Sequence, residues 1–214
     1  MLSVLLLLSP GAVIAQIPGS PILQNVWATP GFVGAVNIGG GADGTTYAAA
    51  ASWTPGMGHF EVSGGGGFET RSGVGDRGVY GVRAALPFGG ISSSFGFAAF
   101  AGIGGGSGGN NTSTISPDSL ASTTEIPLGV SVGWRKALGG NHGISIYGVP
   151  AYVLFSGGSK NEGLFRASVG ADFGITRALG ATLGVEFGAT RPRGIGGPSG
   201  TLYGAGVSYA FGHR

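Results

Sequence analysis

The chain has 214 residues, of which 42% are hydrophobic and only 9% charged, with a formal net charge of +2. Soluble domains carry about 25% charged residues, so this composition argues against an ordinary soluble protein. The weak net charge, with no basic stripe, gives no support to nucleic-acid binding. The absence of cysteine excludes a disulfide framework and a thiolate metal site.

The N-terminus has the features of an export signal. An apolar run is followed by the small residues Val13 and Ala15, which precede a cleavage position before Gln16. The run is shorter than the ~20 residues that a transmembrane helix needs. We therefore predict a signal peptide over residues 1–15, followed by a linker over 16–31 that contains Pro18, Pro21 and Pro30.

From residue 32 onward, apolar residues alternate with small or polar ones in ten segments. In the segment 164–175, Phe165 and Phe173 share one parity, whereas Arg166 and Asp172 share the other. Successive side chains of a β-strand point to opposite faces, so each segment has one apolar and one small or polar face. Helical periodicity does not compete with this pattern. We predict strands over 32–40, 45–53, 58–69, 78–86, 94–104, 124–135, 144–155, 164–175, 180–188 and 201–211.

Every charged residue within these segments lies on the non-apolar parity. A sheet in water exposes its charges, whereas a transmembrane barrel encloses them and exposes apolar side chains. Each segment also has about the 9–11 residues with which a tilted strand crosses a bilayer. We therefore predict an all-β, antiparallel, up-and-down transmembrane β-barrel of ten strands, with eight as the alternative. The predicted lumen charge network consists of Glu61, Glu69, Arg83, Glu125, Arg135, Arg166, Asp172 and Glu186.

The predicted connections differ in length between the two ends of the barrel. Short turns over 54–56, 87–90, 136–143 and 176–179 share one end. Longer connections over 71–78, 105–123, 156–163 and 189–200 share the other end, where only the first connection, 41–44, is short. Bacterial outer-membrane barrels have short periplasmic turns and longer extracellular loops. Large aromatic residues then fall near both strand ends, where they form a girdle at the membrane interfaces rather than the core of a soluble sandwich. The girdle residues are Tyr47, Trp53, Phe60, Trp134, Phe165, Phe187 and Tyr203.

The last predicted strand ends with Gly206, Tyr209 and Phe211, in the spacing Gly-x-x-aromatic-x-aromatic. With this ending, the whole mature chain resembles the small bacterial outer-membrane β-barrel family, of the opacity-type or porin-like kind. The chain departs from this ending in two ways: Gly204 stands where a polar residue is usual, and Gly212, His213 and Arg214 follow the terminal aromatic residue. The resemblance implies that Gly206, Tyr209 and Phe211 are an assembly signal. It also implies, as partners, the barrel-assembly machinery, periplasmic chaperones, and outer-membrane lipid with lipopolysaccharide.

The resemblance also implies a domain order and a location. The signal peptide, residues 1–15, directs export. Residues 16–31 form an N-terminal periplasmic linker, and residues 32–214 form the transmembrane barrel in the bacterial outer membrane.

The five acids and three arginines of the predicted network allow two interpretations of the lumen. They form either a salt-bridged plug that holds the strands in register or a constriction that selects small solutes. Wide aqueous channels need ~16–18 strands, so ten strands favour the plug. We therefore expect a structural or surface-interaction role, with a small passive porin-like channel as the alternative.

The sequence predicts no catalytic, cofactor or metal site. The histidines are His59, His142 and His213. His59 shares a strand face with Glu61 and Ser63, but positions two and four residues apart are separated by ~7 and ~14 Å, too far to relay a proton. An outer-membrane enzyme remains a distant alternative.

Overall fold

A closed barrel accounts for all the strands that the computed structural model describes. The described residues are 17–42, 44–56, 59–71, 75–88, 93–108, 121–188 and 200–211. Every strand pairs antiparallel with its neighbours in sequence, and β1 pairs with β10 to close the sheet. The ten strands are β1 (Gly31–Gly41), β2 (Gly44–Thr54), β3 (Glu61–Arg71), β4 (Gly75–Pro87), β5 (Phe95–Gly106), β6 (Thr123–Gly139), β7 (His142–Gly157), β8 (Lys160–Gly174), β9 (Leu179–Gly188) and β10 (Leu202–Phe211). The predicted ten-stranded antiparallel barrel is confirmed.

Several strands are longer than predicted, and this changes the pattern of connections. β4 begins at Gly75, and β8 begins at Lys160, paired with Gly157 across the turn 158–159. Gly158 has a φ of +57°, which suits a tight two-residue hairpin turn. The prediction of long connections over 71–78 and 156–163 was therefore wrong, because strand pairing continues into both.

Two longer connections do share one end of the barrel. They cover 107–122 and 189–201, and most of each lies outside the described residues. We call this end the outer end and the opposite end, where β1 begins, the inner end. The predicted sorting by length thus rests on these two connections alone.

The outer surface of the barrel wall is apolar. Phe165 and Phe173 are exposed, whereas Arg166 and Asp172 on the same strand are buried, as the alternation predicts. Of the predicted girdle residues, Trp134 is half-buried and the others are exposed: Tyr47, Trp53, Phe60, Phe165, Phe187 and Tyr203. The part of the chain that the structure describes holds no helix long and apolar enough to cross a bilayer.

The three predicted assembly-signal residues of the last strand do not share one face: two point outward and one points into the lumen. Tyr209 and Phe211 are exposed, and their rings meet edge to face with centroids 5.1 Å apart. Gly206 faces the lumen, where a side chain would collide with Asn37 of β1. The β1–β10 seam therefore has close packing inside and an aromatic pair outside.

The extended segment before β1 lies inside the barrel. We call residues 17–30 the N-terminal segment; all of them are buried except the half-buried Gly19 and Pro30. The structure thus corrects the prediction of a periplasmic linker over 16–31. Ile22, Leu23 and Val26 are apolar, and the removal of their side chains from water favours this position inside the barrel. Residue 16 and the predicted signal peptide over 1–15 lie outside the described residues.

Candidate functional site

The N-terminal segment runs along the length of the lumen. Near the outer end, the hydroxyl of Thr46 donates a hydrogen bond to the carbonyl oxygen of Pro18 over 3.3 Å. Near the inner end, the guanidinium carbon of Arg135 lies 4.6 Å from the centroid of the Trp27 ring. Arg135 also donates from Nε to the carbonyl of Ser93, in the inner connection between β4 and β5, over 3.0 Å. The segment therefore descends from the outer end to the point where β1 starts.

Glycines on three adjacent strands make room for the segment. A Cβ added to Gly184 of β9 would lie 2.5 Å from the Leu23 side chain. A Cβ on Gly204 of β10 would lie 3.0 Å from Pro21 Cδ. On β1, a Cβ on Gly39 would come within 2.7 Å of Ser20 Oγ. The inward glycines therefore form a track that the N-terminal segment occupies.

Buried carboxylates hold the segment by hydrogen bonds. Glu186 Oε2 accepts a bond from the backbone N–H of Ile22 over 2.7 Å, and a second from Ser168 Oγ over 3.1 Å. The Gln24 side chain donates from Nε2 to the carbonyl oxygen of Asn25 over 2.9 Å, within the segment itself. A buried carboxylate without partners is costly, so the bonds at Glu186 stabilise both the segment and the acid.

Asp172 is the second main anchor. Its Oδ2 accepts a hydrogen bond from Asn25 Nδ2 over 2.5 Å. Its Oδ1 accepts from Thr182 Oγ1 over 2.7 Å and from the Tyr147 hydroxyl over 3.1 Å. Asn25 Nδ2 also lies 3.0 Å from Ser145 Oγ. These three donors to Asp172 are neutral side chains, and one of them belongs to the N-terminal segment.

Ion pairs close the outer half of the lumen. Arg166 Nη1 donates to Glu125 Oε2 over 3.1 Å and lies 3.7 Å from Glu186 Oε1. Arg77 Nε donates to Glu69 Oε2 over 2.5 Å. Arg77 lies within the predicted outer connection 71–78, so the sequence does not predict it as a charge of the lumen. Because β4 already begins at Gly75, Arg77 is a strand residue whose side chain points into the lumen. It lies directly opposite Glu69 of β3 in the strand pairing.

The remaining predicted charges lie in the inner half of the lumen. Arg83 is buried, with its guanidinium carbon 5.7 Å from the Phe100 ring centroid. Within the described residues, none of its three guanidinium nitrogens has a hydrogen-bond partner. Arg135 is half-buried against Trp27. The predicted network is therefore two groups of charges separated along the barrel axis.

Little space remains beside the segment in the outer half. The cavity lined by Gly19, Glu69, Glu125 and Arg166 has a volume of about 30 Å³. A water molecule needs about 10–15 Å³ of such volume, so this cavity holds about two or three waters at most. The N-terminal segment and the ion pairs together fill the lumen at this level.

The two described histidines take no part in this arrangement. His59, on the connection between β2 and β3, and His142, the first residue of β7, are both exposed at the inner end, and His213 lies outside the described residues. No group of three metal-ligating side chains that could hold an ion occurs among the described residues.

Structural comparison relates the chain to bacterial outer-membrane proteins. The beta domain of the Bordetella autotransporter Brka aligns with a TM-score of 0.50 and 15% identity, over 84% of this chain and 98% of that one. The translocator domain of the autotransporter NalP from Neisseria meningitidis aligns with a TM-score of 0.49 and 14% identity, over 86% and 90% of the two chains. A bacterial polysaccharide outer membrane secretin aligns with a TM-score of 0.49 and 12% identity over 79% of this chain, which spans 57% of that protein's length.

By sequence, no protein-family model and no curated protein matches the chain. At such low identities the structural likeness concerns the fold alone. The chain has the fold of a bacterial outer-membrane β-barrel, with its own N-terminal segment in the lumen.

Proposed function

We propose that this protein is a bacterial outer-membrane β-barrel with a closed lumen and a structural or surface-interaction role. The apolar outer wall supports the membrane location, because a water-soluble barrel would not expose so many large apolar side chains. The fold shared with the autotransporter beta domain supports it as well.

The N-terminal segment inside the barrel carries the proposal of a closed lumen. A solute crossing the barrel would have to displace Leu23 and Val26, which are fully buried, and break the hydrogen bonds at Glu186 and Asp172. A porin-like channel requires a continuous aqueous path, and the segment occupies the space such a path would need.

Conductance of the refolded mature protein in planar bilayers tests this function. We expect a silent baseline in 1 M KCl from a preparation whose folded state is shown by heat-modifiable migration on gels. Steady unitary steps from the folded, unmodified protein would instead establish the passive-channel alternative.

A further inference from the structure

We infer that the N-terminal segment is a displaceable plug, and that the barrel becomes a pore for small neutral or zwitterionic solutes when the segment leaves the lumen. This inference rests on the proposed membrane barrel with a closed lumen. It adds an activity that the closed state does not have.

The wall of the barrel does not depend on the segment. The strand ring closes through the β1–β10 pairing, and the segment belongs to none of the ten strands. Pro18 and Pro21 lack the N–H group that a strand ladder requires. Removing the segment therefore breaks side-chain packing and a few hydrogen bonds while the backbone ladder of the barrel stays intact.

Side-chain packing and a small number of polar contacts hold the segment in place. Ile22, Leu23, Val26 and Trp27 pack into the apolar core with side chains of the wall. The main polar contacts are the bonds of Ile22 to Glu186, of Asn25 to Asp172 and of Thr46 to Pro18, with the Trp27 ring against Arg135. Because no strand ladder adds to these contacts, loss of the Asn25 bond together with the Trp27 ring shifts the equilibrium of the segment toward release.

The glycine track sets the size of the path that release would open. Gly39, Gly184 and Gly204 leave space where the segment now lies, on three neighbouring strands. An eight-stranded barrel is filled by its own side chains, so two further strands and these glycines give room for one extended chain. The open path would therefore admit solutes no wider than an extended polypeptide.

The charge balance of the lumen indicates what would pass. Rings of one charge sign select ions of the opposite sign. Here five acids face five arginines among the described lumen residues, so a free lumen discriminates by size more than by charge. The ten residues are Glu61, Glu69, Glu125, Asp172, Glu186, Arg71, Arg77, Arg83, Arg135 and Arg166.

The first test removes residues 17–29 from the mature chain. We expect unitary steps in 1 M KCl, with a reversal potential near zero in a salt gradient. In a liposome-swelling assay we expect glucose entry at least tenfold faster than with the unmodified protein, and exclusion of the trisaccharide raffinose. A folded deletion variant that stays silent in both assays overturns the inference.

A second test keeps the full chain, in case the deletion variant fails to fold. Asn25→Ala and Trp27→Ala together remove one contact with Asp172 and one with Arg135. A Cβ on Gly39 would lie 3.1 Å from Ser20 Cβ, close to the ~3.5–4.5 Å of a disulfide, so Ser20→Cys with Gly39→Cys can lock the segment. The chain has no other cysteine that could compete.

The four substitutions combined give a barrel whose plug can be locked or freed by redox conditions. We expect brief openings under reducing conditions and at least a tenfold drop in open time after oxidation. The matched control carries Ser20→Cys without Gly39→Cys and should open equally in both conditions. The inference is contradicted if the open time of the variant with all four substitutions does not change on oxidation. It is also contradicted if the reduced variant is folded but never opens. Steady conductance of the unmodified protein would instead contradict the proposed closed barrel.

Discussion

Two glycines, one on β7 and one on β9, show how the same residue type differs between the faces of the wall. Gly148 of β7 faces outward, and a Cβ built on it would meet nothing within 4 Å. Gly184 of β9 faces inward, and its Cβ would strike Leu23 of the N-terminal segment. The first glycine leaves space toward the surroundings of the barrel, and the second leaves space for part of the chain itself.

This difference predicts opposite tolerance to a larger side chain. We expect Gly184→Val to lower the free energy of unfolding by about 1–3 kcal/mol through overpacking against Leu23. Gly148→Val should stay within about 0.5 kcal/mol, as at a site without close contacts. Urea titration of the protein in detergent micelles measures both. Equal effects would place the N-terminal segment outside the lumen.

A second residue-scale prediction concerns Arg166, which lies between Glu125 and Glu186. Arg166→Met should cost about 3–5 kcal/mol, because it leaves buried carboxylates without their cation. Adding Glu125→Gln should recover part of that loss. Arg177→Met, at an exposed turn, serves as the control and should have a far smaller effect. If the double variant is no more stable than Arg166→Met alone, the pair contributes nothing through its charge.

At the scale of elements, the strands could be predicted and the N-terminal segment could not. The strands alternate in every segment because one face meets the lumen, and this period is visible in the sequence alone. Ile22, Leu23 and Val26 do not alternate as the apolar residues of a strand do, and their spacing of three and four residues is that of a helix face too short to predict a helix. Prolines around them suggest a linker. The available signal was the inward glycines, but their common position against the segment emerges only once the register of β1, β10 and β9 is known.

Charges were predicted better as a set than as pairs. The parity of Glu69, Arg166 and Glu186 fixed their face, and the structure buries all three. Their partners depend on the barrel stagger and on where the strands end. For this reason Arg77 is absent from the predicted network, and the pattern does not predict the hydrogen bond from Asn25 to Asp172.

The aromatic pair on β10 gives a prediction for an element. The family resemblance implies that Tyr209 and Phe211 are read during assembly. Tyr209→Ala with Phe211→Ala should therefore reduce the folded fraction in the outer membrane several-fold in cells, measured by heat-modifiable migration.

The matched control is Phe165→Ala with Phe187→Ala, which removes two rings of similar exposure from β8 and β9. In refolding into detergent micelles, where no assembly machinery is present, both double variants should give the same yield of folded protein. An equal loss of folded protein in cells would show that exposed rings matter in general and that the last strand has no special role.

At the scale of the whole molecule, the barrel places apolar side chains outside and charges inside. This arrangement suits a lipid surrounding, and the two ends then face different compartments. The two-residue turns at Gly140–Asn141 and Gly158–Ser159 lie at opposite ends, and Asn141 and Ser159 are both exposed.

These turns give a test of orientation with a matched pair of variants. In intact cells, Ser159→Cys should react with a membrane-impermeant maleimide, whereas Asn141→Cys should react only after the outer membrane is opened. The cysteine-free background makes the labelling specific. The reverse pattern would mean that the inner end faces outward.

The seam between the first and last strands has a consequence for how the molecule is made. Phe32 pairs with Phe211, so the hydrogen bonds of this seam join residues that lie near opposite ends of the chain. Pairing between such distant residues is slow, because the chain loses conformational entropy when the ends meet, before the new contacts stabilise the pair. Residues 17–30 lead directly into β1. The N-terminal segment is therefore next to the β1–β10 seam when the two strands pair and close the barrel. Biogenesis and sealing would then be a single event, and a newly made barrel would not leak while it matures.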